Sequence, residues 1–268
     1  MSRLPKRIVC LTTETVEVLY LLGEQDRIAG ISGYTVTPPQ ARKEKPKVYA
    51  FTSGDLGKIM AVEPDLVLTF SDLQADISRD LIKAGVPVYA FNQRGVEDIL
   101  AMIETLGRLV GAEQKALALI AELEACIATA RALANRLPQA PKVYFEEWDE
   151  PLISGIRWAS ELIQIAGGID VFADEAQRPL ARDRTMADTQ MPIQRQPDII
   201  IGSWCGKHFR PERIAARDGW QSIPAVQMQQ IHEIKSAVIL TPGPVAIREG
   251  LPALSRIFAD WAAARFPA

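Results

Sequence analysis

The feature that most constrains the fold is an uninterrupted helical segment at the middle of the chain. Residues 113–137 contain neither glycine nor proline and are rich in alanine, leucine and glutamate, which favour helix. Apolar side chains recur at spacings of four and three, on one face: Leu119, Leu123, Cys126, Ala130, Leu133 and Leu137. At 1.5 Å per residue this helix would be about 37 Å long. A coiled-coil dimer is the other interpretation, but three heptads is its lower limit, so we favour a helix packed along its own chain.

Short apolar runs alternate with helix-period segments on both sides of this helix. Gly23 and Gly85 are placed to end two of the helical segments. The alternation is typical of α/β architecture with mainly parallel strands. The runs that we interpret as strands are residues 8–11, 28–31, 66–70 and 86–91 before the helix, and 142–145, 199–201 and 231–234 after it.

A repeated motif suggests that the two halves are related. Pro64 and Asp65 precede the apolar run at 66–70, and Pro197 and Asp198 precede the run at 199–201, about half the chain length later. Pro-Asp is also a common turn at the entry to a strand. Together with the central helix, the repeat predicts a duplicated plan with an N-terminal lobe (1–112), a connecting helix (113–138) and a C-terminal lobe (139–268).

The composition excludes two classes of protein. The 268 residues carry 30 Lys+Arg against 33 Asp+Glu, a formal net charge of -3, whereas nucleic-acid recognition requires a concentrated basic surface. No apolar run approaches the roughly 20 residues of a membrane-spanning helix. We therefore expect no nucleic-acid partner and no membrane insertion.

The cysteines and the N-terminus favour a location inside the cell. Cys10, Cys126 and Cys205 are odd in number and far apart, so a disulfide framework is not expected. The apolar run after the basic start spans only residues 8–11, too short for a secretory signal. We expect a cytoplasmic protein; a periplasmic domain restarted at an engineered methionine is the alternative.

Several segments carry a resemblance to a known family. They are residues 8–17, 30–34, 38–41 and 59–67 in the first half, and 162–172 and the Pro-Asp strand at 197 in the second. In these segments the chain resembles the class III, helical-backbone substrate-binding proteins of ABC importers, and is closest to the cobalamin-binding branch. The resemblance implies two Rossmann-like α/β lobes joined by one rigid helix, with a metal chelate in the cleft between lobes.

The candidate site residues follow the predicted strands. Ligands of open α/β sheets bind beyond the carboxyl ends of the strands, and the segments there are rich in aromatic residues. Aromatic faces suit a large flat ligand such as a corrin or tetrapyrrole. Against this, any single tryptophan near a strand end is as often part of the core. The predicted ligand-binding residues are Thr13, Tyr34, Phe51, Thr52, Ser71, Trp148, Trp158, Arg184, Trp204, Cys205 and His208.

Cys205 and His208 raise the question of a metal. Their spacing occurs in metal sites, and Glu146 or Glu147 would be a third ligand, but two ligands do not make a site. His208 is also placed to be an axial ligand of the metal of a bound chelate. We interpret it first as an ordinary polar loop residue and predict no metal site of the protein's own.

Two positions depart from the pattern of the family. The resemblance implies that transporter-linked members carry one glutamate on each lobe, and that these glutamates dock to the permease. Gly57 and Thr189 stand at those positions, with Asp55 and Asp188 beside them. Docking to an ABC permease is therefore doubtful.

The sequence as a whole predicts a binding protein and not an enzyme. The expected ligand is a corrinoid, cobalamin or cobinamide, bound without a prosthetic group of the protein's own, for holding or hand-over and not for import. A binding protein for heme or an iron-siderophore is the first alternative. The second is a tetrapyrrole chelatase, in which His208 and Glu146 or Glu147 would act together, although no nucleophile or phosphate loop supports an enzyme.

Overall fold

The computed structural model describes residues 3–50 and 55–267, which form two compact units. The first unit comprises the chain through Gln93 and Glu97–Glu122, and the second comprises Arg94–Val96 and the chain from Leu123 onward. The division therefore falls inside the central helix. The lobe boundaries proposed from the sequence, at 112 and 139, stay a prediction.

In the described part of the first unit, five strands form one parallel sheet in the order β3-β2-β1-β4-β5. The central strands are buried, with Val9, Val67 and Leu68 fully inaccessible, as expected for a parallel sheet covered on both faces. The strands are β1 (Ile8–Cys10), β2 (Ile28–Ser32), β3 (Lys47–Tyr49), β4 (Leu66–Phe70) and β5 (Val88–Phe91).

The helices of the first unit follow its strands, as the alternation predicted. Gly85, with φ +81°, ends the helix that leads to β5, the left-handed conformation that glycine adopts at low cost. The helices are α1 (Thr13–Leu21), α2 (Ala41–Glu44), α3 (Leu56–Met60), α4 (Ala75–Lys83), α5 (Val96–Val110) and the start of α6 (Glu113–Ala134).

The sheet of the second unit has the path β10-β9-β6-β7, with β8 also paired to β6. The long strand β6 pairs in parallel with β9 and in antiparallel with β7. The sheet of this unit is therefore mixed and not wholly parallel. The strands are β6 (Lys142–Asp149), β7 (Leu152–Ser154), β8 (Ile169–Asp170), β9 (Ile199–Gly202) and β10 (Ile231–Glu233).

The helices of the second unit enclose a core of large aromatic side chains. Tyr144, Phe172 and Trp220 are almost completely buried and meet edge to face, a favoured arrangement of aromatic rings. The helices are α7 (Arg157–Ile165), α8 (Met191–Arg195), α9 (Pro211–Ala215), α10 (Pro224–Gln227), α11 (Ser236–Ile239) and α12 (Leu251–Arg265). Within the described residues, no helix combines the length and the apolar character needed to cross a bilayer.

The central helix α6 is present but ends earlier than predicted. It stops at Ala134 because the N–H groups of Arg136 and Leu137 bond carbonyls only three residues back, which tightens the last turn. Its buried stripe contains Ile127 where the sequence suggested Cys126, and Leu133 is 46% exposed. The stripe follows the 3.6-residue period and so drifts from the heptad-like spacing.

The repeated Pro-Asp motif has the same structural role in both units. Asp65 accepts hydrogen bonds from the N–H groups of Lys6 and Arg7, at 2.7 and 2.9 Å, just before β1. Asp198 accepts one from the N–H of Lys142, at 2.9 Å, at the start of β6. Each aspartate thus ties the strand that it precedes to the first strand of its own unit, which supports a duplicated plan.

We expect both aspartates to stabilise the start of their sheets. Asp65→Ala and Asp198→Ala should each lower the free energy of unfolding by about 1–3 kcal/mol, because a backbone N–H loses a charged acceptor. Urea unfolding followed by circular dichroism measures the change. Asp76→Ala, whose side chain is 90% exposed, is the control and should change stability by less than about 0.5 kcal/mol. An unchanged midpoint for both test variants would contradict the proposed role.

Candidate functional site

A buried carboxylate organises the carboxyl end of the second sheet. Glu146, near the end of β6, is fully inaccessible. It accepts hydrogen bonds from the Tyr144 hydroxyl (3.1 Å), the indole N–H of Trp204 (2.9 Å) and two nitrogens of Arg217 (2.5 and 2.9 Å). We call these four residues the Glu146 cluster. A buried charge is tolerated only when it is paired and hydrogen-bonded in this way.

The topology brings these residues together. Strands β6 and β9 pair in parallel, with Glu146 opposite Gly202, so the segment after β9 lies beside the end of β6. Burial, with the adjacent Glu146 carboxylate, raises the pKa of Tyr144 well above its ordinary value. The tyrosine hydroxyl therefore stays protonated and donates to the carboxylate.

Trp204 is held inside this arrangement and not on its surface. Its side chain is only 3% exposed, and its ring meets Phe209 edge to face at 4.9 Å. Phe209 in turn packs over Gly202, where an added Cβ would lie 1.8 Å from the phenylalanine ring. The sequence offered no reason for a glycine at the end of β9; the close approach of Phe209 supplies it.

Trp148 presents more of its ring than Trp204 does. It is partly buried, and its indole N–H donates to the carbonyl of Glu150 at 2.8 Å. The ammonium of Lys207 lies 5.2 Å from the Trp148 ring centroid and 5.5 Å from that of Trp204, within the range of cation–π attraction. Of the three predicted tryptophans, Trp148 is the one that is only partly buried.

Four basic side chains of this edge are matched by carboxylates. Lys207 bonds Asp149 at 2.6 Å, and Arg213 lies 3.3 Å from Asp149 and 3.5 Å from Glu150. We call the following set the paired-charge edge, in which four acids face four bases: Glu146, Glu147, Asp149, Glu150, Arg184, Lys207, Arg213 and Arg217. Its formal charge is therefore balanced.

Arg184, a predicted ligand-binding residue, is 2% exposed. It pairs with Glu147 at 2.6 Å and bonds the carbonyls of Arg178 (3.1 Å) and Ser154. These contacts hold the segment before α8 against β7. They leave little of the guanidinium for a ligand, so a direct contact stays a prediction.

Trp158 is likewise placed in the interior. It lies at the start of α7, is 4% exposed, and its indole N–H donates to the carbonyl of Ile239 at 2.9 Å. This hydrogen bond anchors α7 to the end of α11. Sequence position alone did not distinguish this packed ring from the accessible ring of Trp148.

Cys205 and His208 lie exposed on the segment after β9. The carboxylates considered as their third metal ligand are occupied, since Glu146 pairs with Arg217 and Glu147 with Arg184. Within residues 3–50 and 55–267, no group of three or more His, Cys, Asp or Glu side chains is arranged to hold a metal ion.

The predicted residues of the first unit that the structure describes lie at the carboxyl ends of their strands. The Thr13 hydroxyl, after β1, donates to the Tyr34 carbonyl, after β2, at 3.5 Å, and the Tyr34 side chain is 67% exposed. Ser71, after β4, has φ +56° and accepts a hydrogen bond from the N–H of Leu73 at 3.3 Å. Phe51 and Thr52 lie outside the described residues.

Glu14 is a buried acid in the first unit that the sequence reasoning missed. It lies in the first turn of α1, is 3% exposed, and accepts hydrogen bonds from the Thr12 hydroxyl (2.7 Å) and the Gln93 amide (3.3 Å). Burial raises its pKa to about 7. The run Thr-Thr-Glu-Thr at 12–15 was the available signal, but nothing in it separates a buried glutamate from a helix-start glutamate in water.

The raised pKa of Glu14 predicts a pH-dependent stability. Between the ordinary pKa of 4.5 and about 7, the folded protein keeps a proton that the unfolded chain releases, so stability falls as pH rises through this window. Glu14→Gln removes this pH-dependent loss of stability, so at pH 8 the variant should be more stable than the parent protein by roughly 3 kcal/mol. Near pH 4 the two should be similar.

Urea unfolding at pH 4 and pH 8 measures this difference. Glu124→Gln is the matched control, because Glu124 is an exposed residue of α6 and should show no such pH-dependent gain. Equal stability of Glu14→Gln and the parent protein at both pH values would contradict the assignment.

Comparison with known proteins identifies the family. The profile of the periplasmic binding proteins matches residues 8–238. The chain belongs to the periplasmic binding protein family. It is 24% identical to an uncharacterized ABC transporter substrate-binding lipoprotein, YvrC, of Bacillus subtilis (strain 168), over 94% of this chain and 79% of the relative. It is also 24% identical to a vitamin B12-binding protein of Vibrio parahaemolyticus, over 89% of this chain and 84% of the relative.

Solved structures share the fold at low sequence identity. The periplasmic heme-binding protein RhuT from Roseiflexus sp. RS-1 superposes with a TM-score of 0.82 at 24% identity, covering 96% of this chain and 99% of that one. The periplasmic vitamin B12 binding protein BtuF of Vibrio cholerae superposes with a TM-score of 0.76 at 20% identity, covering 96% and 98%. The predicted class III fold, two α/β units with a long connecting helix, is confirmed.

The cytoplasmic location expected from the sequence is wrong. The matching family is one of periplasmic binding proteins, and its relatives include a substrate-binding lipoprotein. These findings indicate the periplasm or the cell exterior. The short apolar run at 8–11 was therefore not a sound basis for placing the protein inside the cell.

Proposed function

We propose that the protein binds a corrinoid, cobalamin or cobinamide, reversibly and without chemical change. The observation that carries the proposal is the balanced paired-charge edge beside the partly exposed ring of Trp148. Such a surface offers a large ligand apolar area beside four bases whose charges are already paired with carboxylates. The similarity to vitamin B12-binding proteins over most of the chain supports the choice of ligand.

Heme is the second candidate, since several structural relatives are heme-binding proteins. A heme brings two carboxylates, which need positive partners. Lys207 and Arg213 lie within cation–π range of Trp148 and Trp204, but both are already paired with Asp149. A dianionic ligand would have to displace that carboxylate, whereas a corrinoid with neutral amide groups would not.

The chelatase alternative has no support in the geometry. It requires His208 to act with Glu146 or Glu147, and both glutamates are engaged by arginines. The binding role that the family indicates is sufficient, and the corrinoid is proposed as a carried ligand and not as a prosthetic group.

Docking to a permease through a pair of glutamates is not part of the proposal. Gly57 and Thr189 occupy the two positions at which the docking glutamates would be expected. The neighbouring carboxylates form hydrogen bonds within their own turns. Asp55 accepts from the N–H of Gly57 and Asp188 from the N–H of Gln190, both at 2.8 Å. A permease would have to compete with these local hydrogen bonds.

Titration with cobinamide and cyanocobalamin tests the proposal, with tryptophan fluorescence and visible absorbance as readouts. Trp148→Ala should weaken corrinoid binding by about 5- to 150-fold, the equivalent of 1–3 kcal/mol for loss of a buried aromatic face. Trp148→Phe keeps an aromatic face and is the matched control. The absence of any corrinoid binding at micromolar ligand would refute the proposal, and unchanged affinity of Trp148→Ala would remove this residue from the site.

Trp204 is expected to act through its support of the loop. Its burial means that Trp204→Ala should lower stability as well as affinity.

The charge argument predicts a switch in ligand preference. Asp149→Asn removes the carboxylate that neutralises Lys207 and Arg213, so hemin should bind at least several-fold more tightly while cobinamide affinity changes little. Competition titrations of the parent and variant measure the ratio of the two affinities. Asp183→Asn, an exposed aspartate beside Arg182, is the control. A parent protein that prefers hemin to cobinamide would favour the alternative function.

A further inference from the structure

The second unit contains a cavity that the proposed function does not use. It lies between the C-terminal ends of α6 and α7 and one side of α12, and has a volume of about 260 Å³. Most of its wall is apolar, with Leu133, Leu137 and Pro138 on one side and Ala259 and Ala262 on the other. None of these residues belongs to the paired-charge edge.

Short side chains create this space. Four alanines line the cavity: Ala134, Ala166, Ala259 and Ala262. Gly167, with φ +92°, closes one end: a Cβ there would lie 2.7 Å from that of Ala134 and 3.0 Å from Leu137. The turn after α7 therefore approaches α6 as closely as a glycine permits. The short alanine side chains do not fill the space beside this contact.

Leu133 shows that the cavity is open to solvent. Its side chain is 46% exposed, although it lies on the face of α6 that the sequence pattern assigned to the interior. An apolar wall that remains accessible in the folded protein gains free energy when an apolar group covers it.

Two polar groups accompany this apolar surface. Among the described residues that line the cavity, one is charged: Arg136. Its guanidinium has no ion-pair partner in the described structure. The hydroxyl of Ser255, a residue 8% exposed, is buried without a hydrogen-bond partner among the described residues. An unsatisfied buried hydroxyl is costly, and serine can turn its hydroxyl by a change of rotamer.

The helix ends do not cancel the positive charge of Arg136. The C-terminal dipole of α6 would disfavour an anion, but backbone N–H groups of Asn135, Arg136 and Leu137 bond the carbonyls of its last turn. A full guanidinium charge at the mouth outweighs the remaining partial charge. The cavity thus combines an apolar interior with a positive rim.

We propose that this cavity binds a free medium-chain fatty acid, with the acyl chain against Leu133 and the alanines and the carboxylate on Arg136. A closed apolar cavity of roughly 150 Å³ holds benzene. The present cavity is open to solvent and, at about 260 Å³, has room for a flexible chain of about eight carbons. The Ser255 hydroxyl has no exposed surface in its present rotamer, and a change of rotamer would be needed before it could donate to the ligand or to a water beside it. This site is separate from the proposed corrinoid surface, and its test does not depend on corrinoid binding.

Isothermal titration with a series of fatty acids from butanoate to dodecanoate tests the proposal. Affinity should rise about fourfold for each added methylene, the equivalent of 0.8 kcal/mol per buried CH₂, and should level off once the cavity is filled near eight carbons. No binding of octanoate at millimolar concentration would overturn the proposal. A rise that continues unchanged to dodecanoate would also overturn it, because it would indicate non-specific adsorption.

Paired variants locate the site. Ala259→Leu fills the cavity from an exposed helical position and should weaken octanoate binding at least tenfold, whereas Ala263→Leu, exposed on the same helix and outside the cavity, should not. Arg136→Gln should weaken octanoate several-fold and leave octanol unchanged; Arg131→Gln is its control. Equal effects of a test variant and its control would refute the assigned site.

Discussion

The ion pair between Glu146 and Arg217 holds together the edge on which the proposed function rests. Because the carboxylate is fully buried, loss of its partner would leave an uncompensated charge in the interior, which typically costs about 3–5 kcal/mol. Tyr144 and Trp204 complete its hydrogen bonds. Through Trp204 the same carboxylate sets the position of the segment after β9, including Lys207. Glu146 thus positions the segment after β9, while Asp149 and Glu147 hold Lys207 and Arg184 through ion pairs of their own.

The two units use equivalent aspartates to begin their sheets. Asp65 accepts two backbone N–H groups and Asp198 one, each at the start of the first strand of its own unit, and in both cases the bonded strands pair in parallel. Beyond this common start the units diverge. The first remains wholly parallel in its described residues, whereas the second adds the antiparallel β7, which carries the contacts of Arg184.

The sequence could predict those features of the site that depend on position along the chain, but not those that depend on contacts with remote residues. Residues after strands were found by position, because the carboxyl ends of parallel strands lie at one edge. The direction of each side chain was not found this way: Trp158 and Trp204 are interior, and Trp148 is accessible. Glu14 and Glu146 were not recognised as buried acids, since their partners, Gln93 and Arg217, are remote in sequence. The location inferred from the short N-terminal apolar run was overturned by the relatives of the chain.

The amino-acid sequence by itself determined the α/β alternation, the central helix and the family, because these depend on local periodicity and on residues that stay close along the chain. Only the tertiary structure decided which aromatic rings are accessible, which carboxylates are buried, and that four acids balance four bases at one edge. The ion pairs of this edge join residues up to 71 positions apart. The physical reason is that strand pairing, and not sequence proximity, determines which side chains share a low-dielectric interior.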